Sequence, residues 1–155
     1  MEASRRGHRV TLYEKSSHLG GQLIHADYPE FKWPLRNFKD YMIRQVLKAN
    51  ITLKLGTEAT PATIAAEGYD AVIVAIGAEP KNLSIPGADS KKVVMPIHVY
   101  GHEEELGHNI VVVGGGEIGA ETGLYLAECG HQVTLLTRQD RVAPDATCTH
   151  YREMF

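Results

Sequence analysis

Gly114, Gly116 and Gly119 are spaced Gly-x-Gly-x-x-Gly, with Glu117 and Ile118 ahead of the third glycine. That spacing serves one kind of chemistry well. The first glycine permits a tight turn, the second admits a pyrophosphate against bare backbone, and the third lets a helix pack closely on a strand. A helix starting there also aims free N–H groups and the positive end of its dipole at the phosphates.

The flanking residues supply the elements such a turn needs. Ile110 to Val113 is an apolar run of strand length, a helical segment extends to Cys129, Gly130 breaks it, and Val133 to Leu136 is a second apolar run. Strand, glycine turn, helix and strand form a dinucleotide-binding unit. Thr137 ends the second strand and Arg138 follows. A carboxylate at that point would hold a ribose 2′-hydroxyl, whereas an arginine accommodates a 2′-phosphate. The pair tips the expected cofactor from NADH toward NADPH by a small margin.

A second copy of part of this unit opens the chain. Arg6-Gly7-His8-Arg9-Val10-Thr11-Leu12-Tyr13-Glu14-Lys15 matches Cys129-Gly130-His131-Gln132-Val133-Thr134-Leu135-Leu136-Thr137-Arg138 at an offset of 123 residues. The repeat predicts two related supersecondary units. Glu14 stands at a strand end, where an acidic residue can hydrogen-bond an adenosine ribose. The first copy starts at or inside its helix, so its first strand and glycine turn fall before Met1.

Between the copies, Gly20-Gly21 reads as a tight turn or a close backbone approach, and Ala26 to Pro34 as irregular. Phe31 and Trp33 read as packing residues. A helix is predicted from Leu35 to Ala49, with Leu35, Phe38, Met42, Val46 and Ala49 as its apolar stripe and Arg36, Lys39, Asp40 and Arg44 facing water. Ile51 to Leu55 alternates as a strand. Thr60-Pro61 starts a short helix that Gly68 ends. Asp70 to Ile76 has the continuous apolar pattern of a central strand, leading into a turn at Gly77-Ala78. Lys92 to Met95 is strand-like, and Pro96 to Gly107 connects to the second unit.

Composition narrows the classes. The 155 residues carry 43% hydrophobic and 23% charged side chains, a globular balance, and a net charge of −3 that gives no reason to expect nucleic acid or a membrane surface as partner. The apolar runs are too short to span a bilayer, and Met1 to Arg6 lacks the apolar core of a signal peptide. Cys129 and Cys148 form no Cys-x-x-Cys, which fits a cytoplasmic protein, with Cys129 expected to be half-buried. His98 and His102 flank Gly101 with no third ligand in view, so no metal centre is expected. Glu103 to Glu105 reads as a solvated face. No nucleophile or acid–base set emerges, and no catalytic side chain is named.

The order of motifs then carries a resemblance. An acidic-ended strand, Leu19-Gly20-Gly21-Gln22-Leu23, an apolar strand into Ala75-Ile76-Gly77-Ala78 with Pro80, Ile85-Pro86-Gly87, and Gly114 to Glu121 resemble flavoproteins with two dinucleotide-binding domains. More narrowly, the chain is similar to the C-terminal portion of the 2,4-dienoyl-CoA reductase and 2-enoate reductase family. It departs from that pattern at Ile76, where threonine is usual, and in having no glycine fingerprint ahead of Glu14.

The resemblance implies an α/β fold: Rossmann-like parallel sheets with flanking helices, incomplete at both ends. It implies a partial FAD-binding domain over 1–107 and the start of an inserted NAD(P)-binding domain over 108–155. Glu14 and Lys15 would lie at the FAD ribose, Gly21 and Gln22 along the FAD, Ala59 beside the adenine, and Gly77 and Ala78 over its pyrophosphate. Gly114, Gly116, Glu117, Ile118 and Gly119 would hold the NAD(P) pyrophosphate, with Thr137 and Arg138 at its ribose. Hydride would pass from NADH or NADPH to FAD, and electrons onward to an unsaturated substrate in the missing barrel portion, which carries FMN and an iron–sulfur cluster in the family. A nucleotide-binding module without catalysis of its own is the alternative.

Overall fold

Residues 1–81 and 83–144 are described by a computed structural model. Cys148 and the end of the expected domain over 108–155 lie outside them. The chain divides into two compact units, residues 1–79 and 80 onward.

In the first unit, helix α1 (Glu2–Arg5) leads into strand β1 (Val10–Tyr13). Helix α2 (Leu23–Ala26) and a 3-10 turn at Glu30–Lys32 precede the long helix α3 (Trp33–Lys48). Strand β2 (Ile51–Lys54) and helix α4 (Pro61–Glu67) follow. β1 and β2 pair in parallel, with Val10 opposite Ile51 and Tyr13 opposite Lys54. Their carboxyl ends therefore share one edge, and the pairing extends through Glu14 N–H donating to the Lys54 carbonyl (3.0 Å).

Lys54 ties α4 to this edge. Its ammonium donates to the Tyr13 hydroxyl (3.0 Å) and to Glu67 (2.9 Å) while lying 4.9 Å from the Tyr13 ring centroid. The Tyr13 and Glu67 hydrogen bonds raise its pKa. Thr60 caps α4 by accepting from the Thr63 N–H (3.1 Å), and Gly68 closes it at φ +65°. Both ends match the expected Thr-Pro start and Gly stop. Replacing Thr60 with alanine should lower stability by about 1 kcal/mol and the melting midpoint by about 3 °C. Thr60→Ser should sit near wild type in the same calorimetric scan.

The second unit contains 3-10 turns at Pro96–His98 and Glu103–Glu105, then strand β3 (Asn109–Val113), helix α5 (Glu117–Glu128) and strand β4 (Gln132–Leu136). β3 and β4 are parallel, with Asn109 opposite Gln132 and Val113 opposite Leu136. α5 turns Ala120, Thr122, Gly123, Tyr125 and Leu126 inward, Leu126 being 1% exposed. Tyr100 packs against Tyr125, its ring centroid 5.3 Å away, and bonds the Thr122 hydroxyl (3.0 Å). This places residues after Pro80 against the fingerprint helix.

The internal repeat holds to the level of single hydrogen bonds. Gly7 and Gly130 lie at φ +90° and +92°. Gly7 N–H donates to Ser4 O and His8 N–H to Ala3 O; Gly130 N–H donates to Ala127 O and His131 N–H to Leu126 O. These are two copies of one Schellman helix end, which needs a residue free to take positive φ.

Several expectations fail. Residues 71–76 form no strand, and Ile73 and Ile76 are 86% and 90% exposed. A strand needs a neighbour to share its backbone groups, and among the described residues no strand pairs with this segment. Residues 92–95 are likewise irregular. In α3, Phe38 and Trp33 are exposed, while Lys39 turns inward. Cys129 is exposed. Glu103 is half-buried and bonds Tyr125, so it is not part of a solvated face.

Candidate functional site

The turn from β3 into α5 has two sides. Gly114, at φ +119°, donates its N–H to the Leu136 carbonyl (2.8 Å), and no atom lies within 4 Å of where its Cβ would stand. Gly116 is equally open and is the N-cap of α5. A glycine cap has no side chain to satisfy the first-turn N–H groups, so they remain available to an anion. Glu117 and Ile118 occupy that first turn and are exposed. Gly119 is different in kind: a Cβ there would sit 1.8 Å from the Gly114 carbonyl oxygen. Helix and turn touch through bare backbone. Thr137 and Arg138 follow β4 and are exposed. A pyrophosphate at this open turn, with a ribose toward the end of β4, fits the residues present.

The first unit gathers the other expected residues in two groups. Glu14 and Lys15 leave β1 beside Glu58 and Ala59, which follow β2; Lys15 pairs with Glu58 at 3.3 Å. Glu14 Oε1 accepts from the Ser16 N–H (2.8 Å) and hydroxyl (3.0 Å), which fixes the carboxylate at the edge of the sheet. In the second group, the Gln22 side-chain amide donates to the Ala78 carbonyl. Gly21 and Gly77, at φ +52° and +78°, shape the two turns that meet there. These residues fit one flank of a dinucleotide.

Residues missed by sequence reasoning stabilise the turns. Asp27 is 2% exposed and pairs with Lys39 at 2.7 Å. Arg36 donates to the carbonyls of Asp27, Tyr28 and Pro29, holding the loop ahead of α3. Only side-chain pairing across the loop reveals them, since a lysine at that helical position reads as solvent-facing.

The pyridine nucleotide-disulphide oxidoreductase model matches residues 1–154. The chain belongs to that family. Its domains bind FAD and NAD, and the Rossmann-like parallel sheets with flanking helices are those of this chain. Among curated members, the NADH oxidase of Thermoanaerobacter brockii is 37% identical over 92% of the chain and 23% of its own length. The cinnamate reductase of Clostridium sporogenes is 34% identical over 92% of the chain and 22% of its own length. The bilirubin reductase of Mediterraneibacter gnavus is 37% identical over 96% and 24%. A solved 2-naphthoyl-CoA reductase superposes with a TM-score of 0.88 at 33% identity, over 98% of this chain and 24% of that one. The chain thus spans about a quarter of the length of these family members. No helix among the described residues is long and apolar enough to cross a membrane.

Proposed function

We propose that the chain is the electron-input module of a flavin-dependent oxidoreductase acting in the cytoplasm. Residues 108–155 begin its NAD(P)-binding domain, and residues 1–107 form part of an FAD-binding domain. The observation that carries this reading is the open glycine turn at Gly114 and Gly116, backed by the backbone contact at Gly119. The bound nicotinamide and flavin supply the hydride chemistry, so the protein needs no side-chain nucleophile. The residues bind and orient. Gly114, Gly116 and the first-turn N–H groups around Glu117, Ile118 and Gly119 take the pyrophosphate, and Thr137 and Arg138 take the ribose end. Glu14, Lys15, Gly21, Gln22, Ala59, Gly77 and Ala78 line the FAD. Electrons would pass to an unsaturated substrate at a site outside this chain, in a barrel portion that could hold FMN and an iron–sulfur cluster.

A nucleotide-binding module without catalysis of its own is the second reading, favoured by the unpaired, exposed segment 71–76. The visible spectrum of the purified chain separates the two. Flavin absorbance near one equivalent supports the first, and a colourless protein that binds only NAD(P)H supports the second. NADPH is the preferred nucleotide in either case. Arg138→Ala should weaken NADPH about tenfold, the worth of one charge-assisted hydrogen bond, and NADH about twofold or less. Equal losses for both in fluorescence titrations would sink the preference.

A further inference from the structure

The second position of a Gly-x-Gly-x-x-Gly turn carries no requirement for glycine in the dinucleotide-binding scheme. Here it is Gly115, and its surroundings differ from those of its neighbours. Gly114 and Gly116 are exposed, whereas Gly115 is buried. A Cβ on Gly115 would lie 2.5 Å from Thr137 Cβ, 2.7 Å from its Oγ1 and 3.1 Å from its Cγ2. All three atoms belong to a β-branched side chain at the end of β4, whose stiff χ1 gives little room to retreat. The Gly115 carbonyl meanwhile accepts from the Ala143 N–H at 2.7 Å. Ala143 is buried, packs against Ala120 of α5, and takes φ +45°, an uncommon conformation for a residue with a side chain.

We propose that Gly115 is a positioning residue for cofactor selectivity. It clamps the segment from Thr137 to Ala143 onto the phosphate-binding turn. Thr137 closes over its Cα and Ala143 holds its carbonyl, so the chain leaving β4 is fixed at both ends. Arg138 and Arg141 lie on the stretch between these two anchors. The backbone that receives the pyrophosphate and the side chains that meet the adenosine ribose are therefore one rigid body, and the spacing between the two ends of the nucleotide is set by Gly115. The inference rests on the reading of this turn as the NAD(P) site.

The test is a double-mutant cycle in the full chain with Gly115→Ala and Thr137→Gly, the latter removing the three atoms nearest to a Cβ at 115. Titrations with NADPH and NADH read affinity, and exchange of the Ala143 amide by NMR reads the clamp without any nucleotide. Gly115→Ala alone should weaken binding about tenfold and change the NADPH-to-NADH affinity ratio at least about threefold. It should also abolish protection at Ala143. In the Thr137→Gly background the same substitution should cost less than about twofold, with Ala143 protection returning. An equal cost in both backgrounds, an unchanged ratio, or an Ala143 amide already unprotected in the wild type would overturn the clamp. Failure of the wild type to bind either nucleotide would overturn the proposed function instead, and amide exchange would still decide the clamp.

Discussion

Replacing Gly119 with alanine should weaken nucleotide binding about 30-fold and destabilise the second unit more than any other single methyl added to the fingerprint. The added carbon would stand 1.8 Å from the Gly114 carbonyl oxygen and 2.9 Å from its carbonyl carbon, far inside van der Waals contact. Neither atom belongs to a side chain, so no rotamer change relieves the overlap. The helix must lift from the turn, or the turn must open. Either movement strains the Gly114 N–H bond to Leu136, and with it the link between turn and β4. Overpacking of this kind costs at least about 2 kcal/mol, and a comparable loss in binding would be about 30-fold. The measurement is a paired melting curve and NADPH titration. Gly116→Ala makes the control: its Cβ meets nothing within 4 Å, so it should melt near wild type while obstructing the phosphate. A Gly119→Ala protein with wild-type melting and wild-type affinity would contradict the contact.

Lys39→Met should be the most damaging change in the first unit. Asp27 is almost wholly buried, and its carboxylate is held by the Lys39 ammonium, itself 15% exposed. Methionine keeps most of the side-chain stem, whose Cδ lies 3.4 Å from where a Cβ on Gly20 would be. What it removes is the charge, leaving an uncompensated carboxylate out of water. Breaking a buried pair in this way costs about 3–5 kcal/mol. The double variant Asp27→Asn/Lys39→Met removes both charges and should recover at least half of the loss in urea unfolding. Two single losses that simply add in the double variant would show that the residues do not act as a pair. Because Lys39 also packs beside Gly20, the turn that carries Gly21 and Gln22 should loosen with it, and hydrogen exchange at those amides should rise in the single variant.

What could be read in advance divides by the range of the forces involved. Gly7 and Gly130 announced two helix ends because a Schellman turn depends on one residue's freedom to take positive φ, and the same hydrogen bonds close both. Thr60, Pro61 and Gly68 marked the ends of α4 for similar local reasons. Residues 71–76 misled because apolar composition expresses a demand for burial, and a strand exists only where a neighbour meets it. Lys39 misled because helical periodicity assigns a face without knowing which loop will cover it.

The amino-acid sequence by itself determined the α/β class, the glycine turn at the head of α5, the repeat and the family, since these rest on short-range sterics and on residue order. The tertiary structure alone decided that Asp27 would find Lys39, that Gln22 would reach Ala78, and that Gly115 would lie under Thr137 and Ala143. Each of those contacts joins residues well apart along the chain. Their partners are chosen by how helices and strands come to rest on one another, and no local preference encodes that choice.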